Sequence, residues 1–261
     1  VLEVLVGLVA DAHRPHALIA GQVDGLLDQR PLQADPIDRL DVIALRHGDD
    51  VVDVAGIGRN YSPRSNYILS DDFFQKVEEN GIMKTWYTDY KVGFRKMLNL
   101  DSERTLQPAL LPRNTGHING IISLTLNDYP KLIDFLGLSS SVIFDFLIKT
   151  IGSSNFTGSR MLTLPCELEK KFSDNISLRT LKLNCINSYF DEIWKNCFKN
   201  EFNNISWSKK DTRLESIDEN LENKVTPFRN FYTRRQALVE IDVITALAMK
   251  LTLENLIDIY N

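Results

Sequence analysis

Arg95, Arg104 and Arg113, together with Asn114, His117 and Asn119, fall within residues 94–124, FRKMLNLDSERTLQPALLPRNTGHINGIISL, around a short apolar run. Side chains of these types read nucleic acid. Arginine spans two acceptors on a guanine edge, asparagine does the same on an adenine edge, and arginine also holds phosphates. Arg113, Asn114, His117 and Asn119 lie in PRNTGHING, whose Pro, Asn and Gly favour a turn, so the spacing predicts one loop that presents all four together. The same residues admit a structural alternative, a hairpin with its arginines on a solvated face. Farther along, Lys149, Asn155 and Arg160 surround the polar loop GSSNFTGSR, which reads either as a second DNA contact or as a solvated connection.

Other chemistries find less support. GSSNFTGS does not satisfy G-x-S-x-G, and no acid and histidine accompany it, which argues against a serine hydrolase. His13 and His16 have helical spacing, but Pro15 interrupts it, and with His47 they lack a fourth zinc ligand; they read as surface residues. Cys166, Cys185 and Cys197 form no C-x-x-C pair and read as free thiols of a reducing cytoplasm, where the chain is expected to reside. No run of about twenty apolar residues is present, so no membrane span is expected. The opening VLEVLVGLVA lacks the basic flank of a signal peptide.

The elements that must position the candidates follow from periodicity. Residues 59–100 read as a loop, a helix over 71–79 entered after Ser70, and an aromatic strand TWYTDYKVGF with Trp86, Tyr90 and Phe94 as core residues; stacking of Trp86 or Tyr90 on a displaced base is the functional alternative. Two apolar β-type runs, 105–111 and 118–126, are joined by PRNTGHING. Pro130 opens a helical region that breaks at Ser139 to Ser141 and resumes as a second helix. Beyond Ser177 the chain reads mainly helical, with a long helix over about 233–249 and a last helix capped by Thr252. The fold class is therefore α+β: a small sheet or hairpin packed on helices, then a mainly helical C-terminal part.

Charge divides the chain. Residues 1–60 hold five Arg, no Lys and ten Asp or Glu, and so carry the whole formal net charge of −5. The remainder is balanced, which a DNA-binding surface tolerates when it forms one wall of a larger clamp. Residues 1–58 are rich in Asp, Val, Ala, Gly and Arg and lack Lys and Asn, a composition unlike residues 59–261; they remain unassigned and read as a segment of different origin.

The order of residues carries a resemblance. Phe94, Arg95, Glu103, Arg104, Thr105 and Pro112 follow an F-R, "neRT", strand-to-Pro pattern, Phe144, Asp145 and Phe146 match an "(F)D(F/Y)" helix, and Leu164 and Pro165 match an "rLP" stop. Arg179, Leu181, Leu183, Asn184, Cys185, Tyr189 and Trp194 match "RvLrLnclt..Ya.LW". Arg234, Arg235, Gln236, Ala237, Glu240, Asp242, Ala246, Leu251, Thr252 and Tyr260 match "eRRqAlvEiDvlvAlalgLtleeLltiY" at the same spacing. Over roughly residues 63–260 the chain thus resembles the target-recognition region of type IIG-like restriction–modification enzymes, adenine-specific DNA methyltransferases of bacterial phage defence.

That resemblance implies a sequence-recognition fragment with double-stranded DNA as partner, and it implies S-adenosylmethionine for the full-length parent. The glycine-rich cofactor loop and the Asn/Asp-Pro-Pro-aromatic motif that holds a flipped adenine are absent from this chain, so no cofactor is expected here and the missing methyltransferase portion, or a partner subunit, would supply the chemistry. Arg234, Arg235 and Glu240 read as a structural ion-pair set. The alternative from another class is a helical interaction module whose final helices dock a partner subunit.

Overall fold

The computed structural model describes residues 46–47, 50–51, 54–61, 71–79, 81–102, 104–117, 119–221 and 226–260. His13, His16, Glu103, Ile118 and all but the end of the compositionally distinct segment lie outside the described residues. From that end come a two-strand ladder, β1 (Arg46–His47) with β2 (Asp50–Val51), and a 3-10 turn at Val54–Gly56. Helix α1 (Asp71–Glu79) forms where the sequence places it.

The expected aromatic strand starts later than Thr85. Residues 81–88 are instead a second helix, α2 (Gly81–Thr88), and the strand β3 covers only Lys91–Arg95. Tertiary contact decides this against local β-propensity. Tyr87 packs edge-on against Phe73 of α1 at 5.4 Å, and Thr85 and Thr88 return their hydroxyls to the carbonyls of Gly81 and Lys84 at 3.0 and 2.9 Å.

β4 (Pro108–Leu111) and β5 (Ile121–Leu124) both pair antiparallel with β3, in the order β4-β3-β5. The two apolar runs therefore do not make a hairpin. Leu111 ends β4 opposite Lys91, whereas Ile121 begins β5 opposite Arg95, so residues 112–120 must travel the length of the central strand. At 3.3 Å per residue that journey is roughly 13 Å. The segment is a crossover on one face of the sheet, and its two ends lie at opposite ends of β3.

The other face meets the helical part. Val92 and Phe94 point there and are fully buried, Phe94 against Phe156 at 4.9 Å and Phe135 at 6.0 Å. Helix α3 (Tyr129–Ser139) starts where Asp128 accepts from the Lys131 amide, with Pro130 in the first turn, and α4 (Val142–Ile151) starts at a Ser141 cap and stops at left-handed Gly152. A short α5 (Gly158–Met161) leads to α6 (Lys170–Asn184), then α7 (Asp191–Cys197), α8 (Thr212–Glu215), α9 (Phe231–Ala248) and α10 (Leu253–Tyr260). Thr252 accepts from the Asn255 amide as the expected cap. The architecture is α+β, with the small antiparallel sheet on a dominantly helical body.

Helices α3, α6 and α9 form the centre of that body. Gly137 lets α3 and α6 approach, since a Cβ there would stand 2.3 Å from Ile176 Cγ2 and 2.4 Å from Thr180 Oγ1. Helix α9 buries two carboxylates two residues apart and therefore on different sides. Glu240 takes Arg179 of α6 through Nε and Nη2 at 2.7 and 2.5 Å, and its other oxygen accepts from the Ser208 amide and hydroxyl. Asp242 accepts from the Val142 amide at 2.7 Å, from Arg104 at 3.4 Å and from the Tyr260 hydroxyl. The ion-pair set expected of Arg234, Arg235 and Glu240 is thus replaced: Glu240 pairs with Arg179, and Arg234 donates to the carbonyls of Leu183 and Phe228 at 2.8 Å.

Lys182, on α6, is buried with no carboxylate partner among the described residues. It donates to the carbonyls of Leu214 and Ser216 at 2.6 and 2.5 Å and lies 4.5 Å from the centre of the Phe228 ring. Burial first, and the Arg179 charge second, push its pKa down from 10.5 to about 7. Between those values the unfolded chain holds a proton that the folded chain has released, so this group makes stability rise with pH across the window, by at most ~1.4 kcal/mol per pH unit. Urea unfolding at pH 7, 8 and 9 should show that rise in the wild type and a smaller one in Lys182→Met. Gly137→Ala should lower the urea midpoint at unchanged slope, at a cost of about 1–3 kcal/mol, because a methyl is forced into a closed helix contact.

Candidate nucleic-acid interface

The crossover sorts the sequence-predicted residues into three places. Where β3 ends, the chain is held between two other segments: the Lys96 amide donates to the Gly120 carbonyl at 2.9 Å, the Phe156 amide to the Lys96 carbonyl at 2.7 Å and the Leu98 amide to the Ser154 carbonyl at 2.9 Å, with Met97 bridging Asn155. This ladder brings Arg95, Asn119 and Asn155 to one end of the sheet, and the short helix that carries Arg160 starts two residues beyond Phe156, with Gly158 next to Ile122 of β5. Lys96 joins them, its ammonium donating to Asn119 Oδ1 at 2.6 Å. The guanidinium groups of Arg95 and Arg160 have neither a hydrogen-bond nor an ion-pair partner among the described residues. Asn119 and Asn155 are exposed. Cations without acids, interleaved with exposed amides, can neutralise phosphates and offer hydrogen bonds to bases.

At the opposite end, Arg113 and Asn114 border an open cavity of about 580 Å³ shared with Tyr90, Pro112, Thr115, Gly116, Ser188, Tyr189, Asp191 and Glu192. Arg113 is not free for phosphate. Its Nε donates to the Thr88 carbonyl at 2.8 Å and its Nη1 to both Glu192 oxygens at 2.6 and 2.7 Å, and that hydrogen bond is the main reason its pKa is raised. Asn114 adopts φ 56°, a left-handed conformation asparagine tolerates, and its amide donates to the Tyr87 carbonyl at 3.0 Å.

His117 lies between the two ends and turns inward. Its Nε2 is 2.7 Å from Ser123 Oγ, which also accepts from Trp86 Nε1 at 2.7 Å, and its ring meets the Trp86 ring edge-on at 5.0 Å. Lys91 lies beneath, donating to the carbonyls of Asp89 and Pro112, and burial lowers its pKa to about 8. The single loop expected to present Arg113, Asn114, His117 and Asn119 together does not exist, because β3 separates its ends. Trp86 packs beneath the crossover and Tyr90 is 2 % exposed, so both take packing roles rather than stacking on a displaced base.

Arg104 and Lys149 also leave the interface. Arg104 is turned into the interior towards Asp242, with only 12 % of its side chain exposed. Lys149 pairs with Asp145 one turn earlier at 3.3 Å, while the other Asp145 oxygen accepts from the amides of Thr105 and Leu106. Lys96 was missed, although it adjoins Arg95 in the sequence. Tyr189 and Glu192 carry no local signal, since only the fold brings them to the crossover.

Every strand pair among the described residues is antiparallel, so they contain no parallel-sheet crevice of the kind that holds nucleotide cofactors in open α/β folds. Among the described residues no cluster of His, Cys, Asp or Glu could hold a metal, and no helix is long and apolar enough to cross a membrane. No family model, curated protein or solved structure matches the chain.

The division between structural and free arginines is testable by stability alone. Arg104→Met strands the Asp242 carboxylate in the interior and should cost about 3–5 kcal/mol in urea unfolding. Arg95→Met removes an unpartnered guanidinium and should stay within about 0.5 kcal/mol of wild type.

Proposed function

We propose that residues 71–260 form a DNA-recognition module of the kind found in the C-terminal region of adenine-specific restriction–modification methyltransferases. In this reading the end of the sheet carrying Arg95, Lys96, Asn119, Asn155 and Arg160 rests on duplex DNA. Methyl transfer from S-adenosylmethionine belongs to a separate methyltransferase portion. One observation carries the reading: Arg104, Arg179 and Arg234 are consumed by interior partners, whereas Arg95 and Arg160 stand without acids at one edge built from three segments. The resemblance supports it, because Arg104, Asp145, Arg179, Glu240, Asp242 and Tyr260 interlock as a single framework.

A second reading, an interaction module for a partner subunit, is favoured by the outer side of α4. Phe146, Leu147 and Ile151 are 48 %, 39 % and 41 % exposed there. The final helices offer less, since most of α9 is buried and α10 buries Leu256.

A gel-shift series with duplex DNA at increasing salt separates the two. Wild type should bind at low salt, and Arg95→Ala with Arg160→Ala should weaken binding at least about tenfold and reduce the slope of log affinity against log salt by about 2. Equal binding by wild type and the double variant would contradict the DNA reading.

A further inference from the structure

The cavity at the opposite end of the sheet is chemically unlike the cationic edge. Its volume of about 580 Å³ lies in the range of small-molecule sites. Its charges cancel: Arg113 is bonded to Glu192, and Asp191, at the cavity wall, is bonded to Arg59 at 2.5 Å. A phosphate entering here would meet two carboxylates. A neutral ligand rich in hydrogen-bonding edges would not.

We infer that this cavity binds an amine-bearing nucleobase, held edge-on by Arg113 and Glu192 and stacked on Tyr189. Arg113 uses Nε and Nη1 on the protein and leaves Nη2 as a donor. Glu192 is 52 % exposed and keeps acceptor capacity beside that donor. A donor next to an acceptor complements a ring nitrogen next to an exocyclic amine, the edge that adenine and cytosine present. Tyr189, 43 % exposed, supplies an aromatic face, and its carbonyl is fixed by the buried Tyr90 hydroxyl at 3.0 Å. Asn114 adds a free side-chain amide at the rim, held in place by its backbone bond to Tyr87.

The choice of a nucleobase among planar amine-bearing ligands rests on the nucleic-acid reading of the sheet's other end. The site itself is physically separate. The base can come from a free nucleoside or from a base extruded from a DNA strand, and the same chemistry serves both.

Calorimetric titration of the full chain with adenosine, with purine riboside lacking the amine, and with duplexes that are fully paired or carry one bulged adenine tests this. Tyr189→Ala removes the stacking face and Asn114→Gly removes the rim amide while easing the left-handed backbone. Saturable adenosine binding that weakens about tenfold or more in Tyr189→Ala and for purine riboside supports a nucleoside site. A preference for the bulged duplex that Tyr189→Ala abolishes, without measurable adenosine binding, supports an extruded base. Binding unchanged in Tyr189→Ala, equal affinity for purine riboside, or no response to either adenosine or the bulge overturns the inference. The Arg95→Ala, Arg160→Ala variant keeps the two proposals apart, because it should lose paired duplex and retain adenosine.

Discussion

The Asp242 carboxylate is the constraint on which the rest of the structure depends. It is 1 % exposed, yet three donors from three different segments converge on it: the first amide of α4, the Arg104 guanidinium and the Tyr260 hydroxyl of the last helix. An ionised carboxylate in the interior is tolerated only when paired and hydrogen-bonded, and losing any one partner leaves a buried charge exposed to its full desolvation cost. Glu240, two residues earlier, repeats the arrangement on the other side of α9 with Arg179 and Ser208. Between them the two acids fix α9 against α4, α6, α10 and the approach to β4. Asp145 extends the framework by holding the amides of Thr105 and Leu106, so the segment entering the sheet is anchored to the helical body before the strand begins.

Such anchoring determines which cations remain available outside. Arg104, Arg179, Lys182 and Arg234 are committed to carboxylates or carbonyls of the interior, whereas the Arg95 guanidinium has no partner among the described residues. The sheet places the edge it stands on. Because β3 is central and β5 starts at its far end, the crossover delivers Asn119 beside Lys96 and leaves Arg113 and Asn114 at the other end, against α7 and the turn before it. One end is cationic and open; the other is neutral and concave. The first is the end we propose meets a polyanion, and the second the end we propose takes an uncharged planar edge.

Much of the fold was legible in the sequence because its signals are local. Pro130, the Ser139 to Ser141 break and Thr252 mark helix ends, and these signals depend only on near neighbours. The start of β3 was misplaced because Trp86 and Tyr87 favour strands in isolation, while contact with Phe73 and Ser123 holds them on α2 and beneath the crossover. The site was legible only in part. Residue types single out Arg95, Asn119, Asn155 and Arg160 as candidates, but strand order places Arg113 and Asn114 elsewhere, and no spacing rule reveals a central strand inserted between two apparent hairpin arms. Arg104 and His117 look alike to Arg95 and Asn119 in composition; their inward orientation follows from a partner more than a hundred residues away in one case and from the indole of Trp86 in the other.

In the proposed function the edge of the sheet carrying Arg95 and Lys96 faces nucleic acid. Backbone amide chemical-shift mapping of the labelled protein during titration with duplex DNA reads this directly. The largest shifts are expected at Lys96, Asn119, Gly120 and Ser154 to Phe156, with α4 and α9 unmoved. Shifts concentrated on the outer side of α4 around Phe146 and Leu147, or spread evenly over the surface, would contradict it.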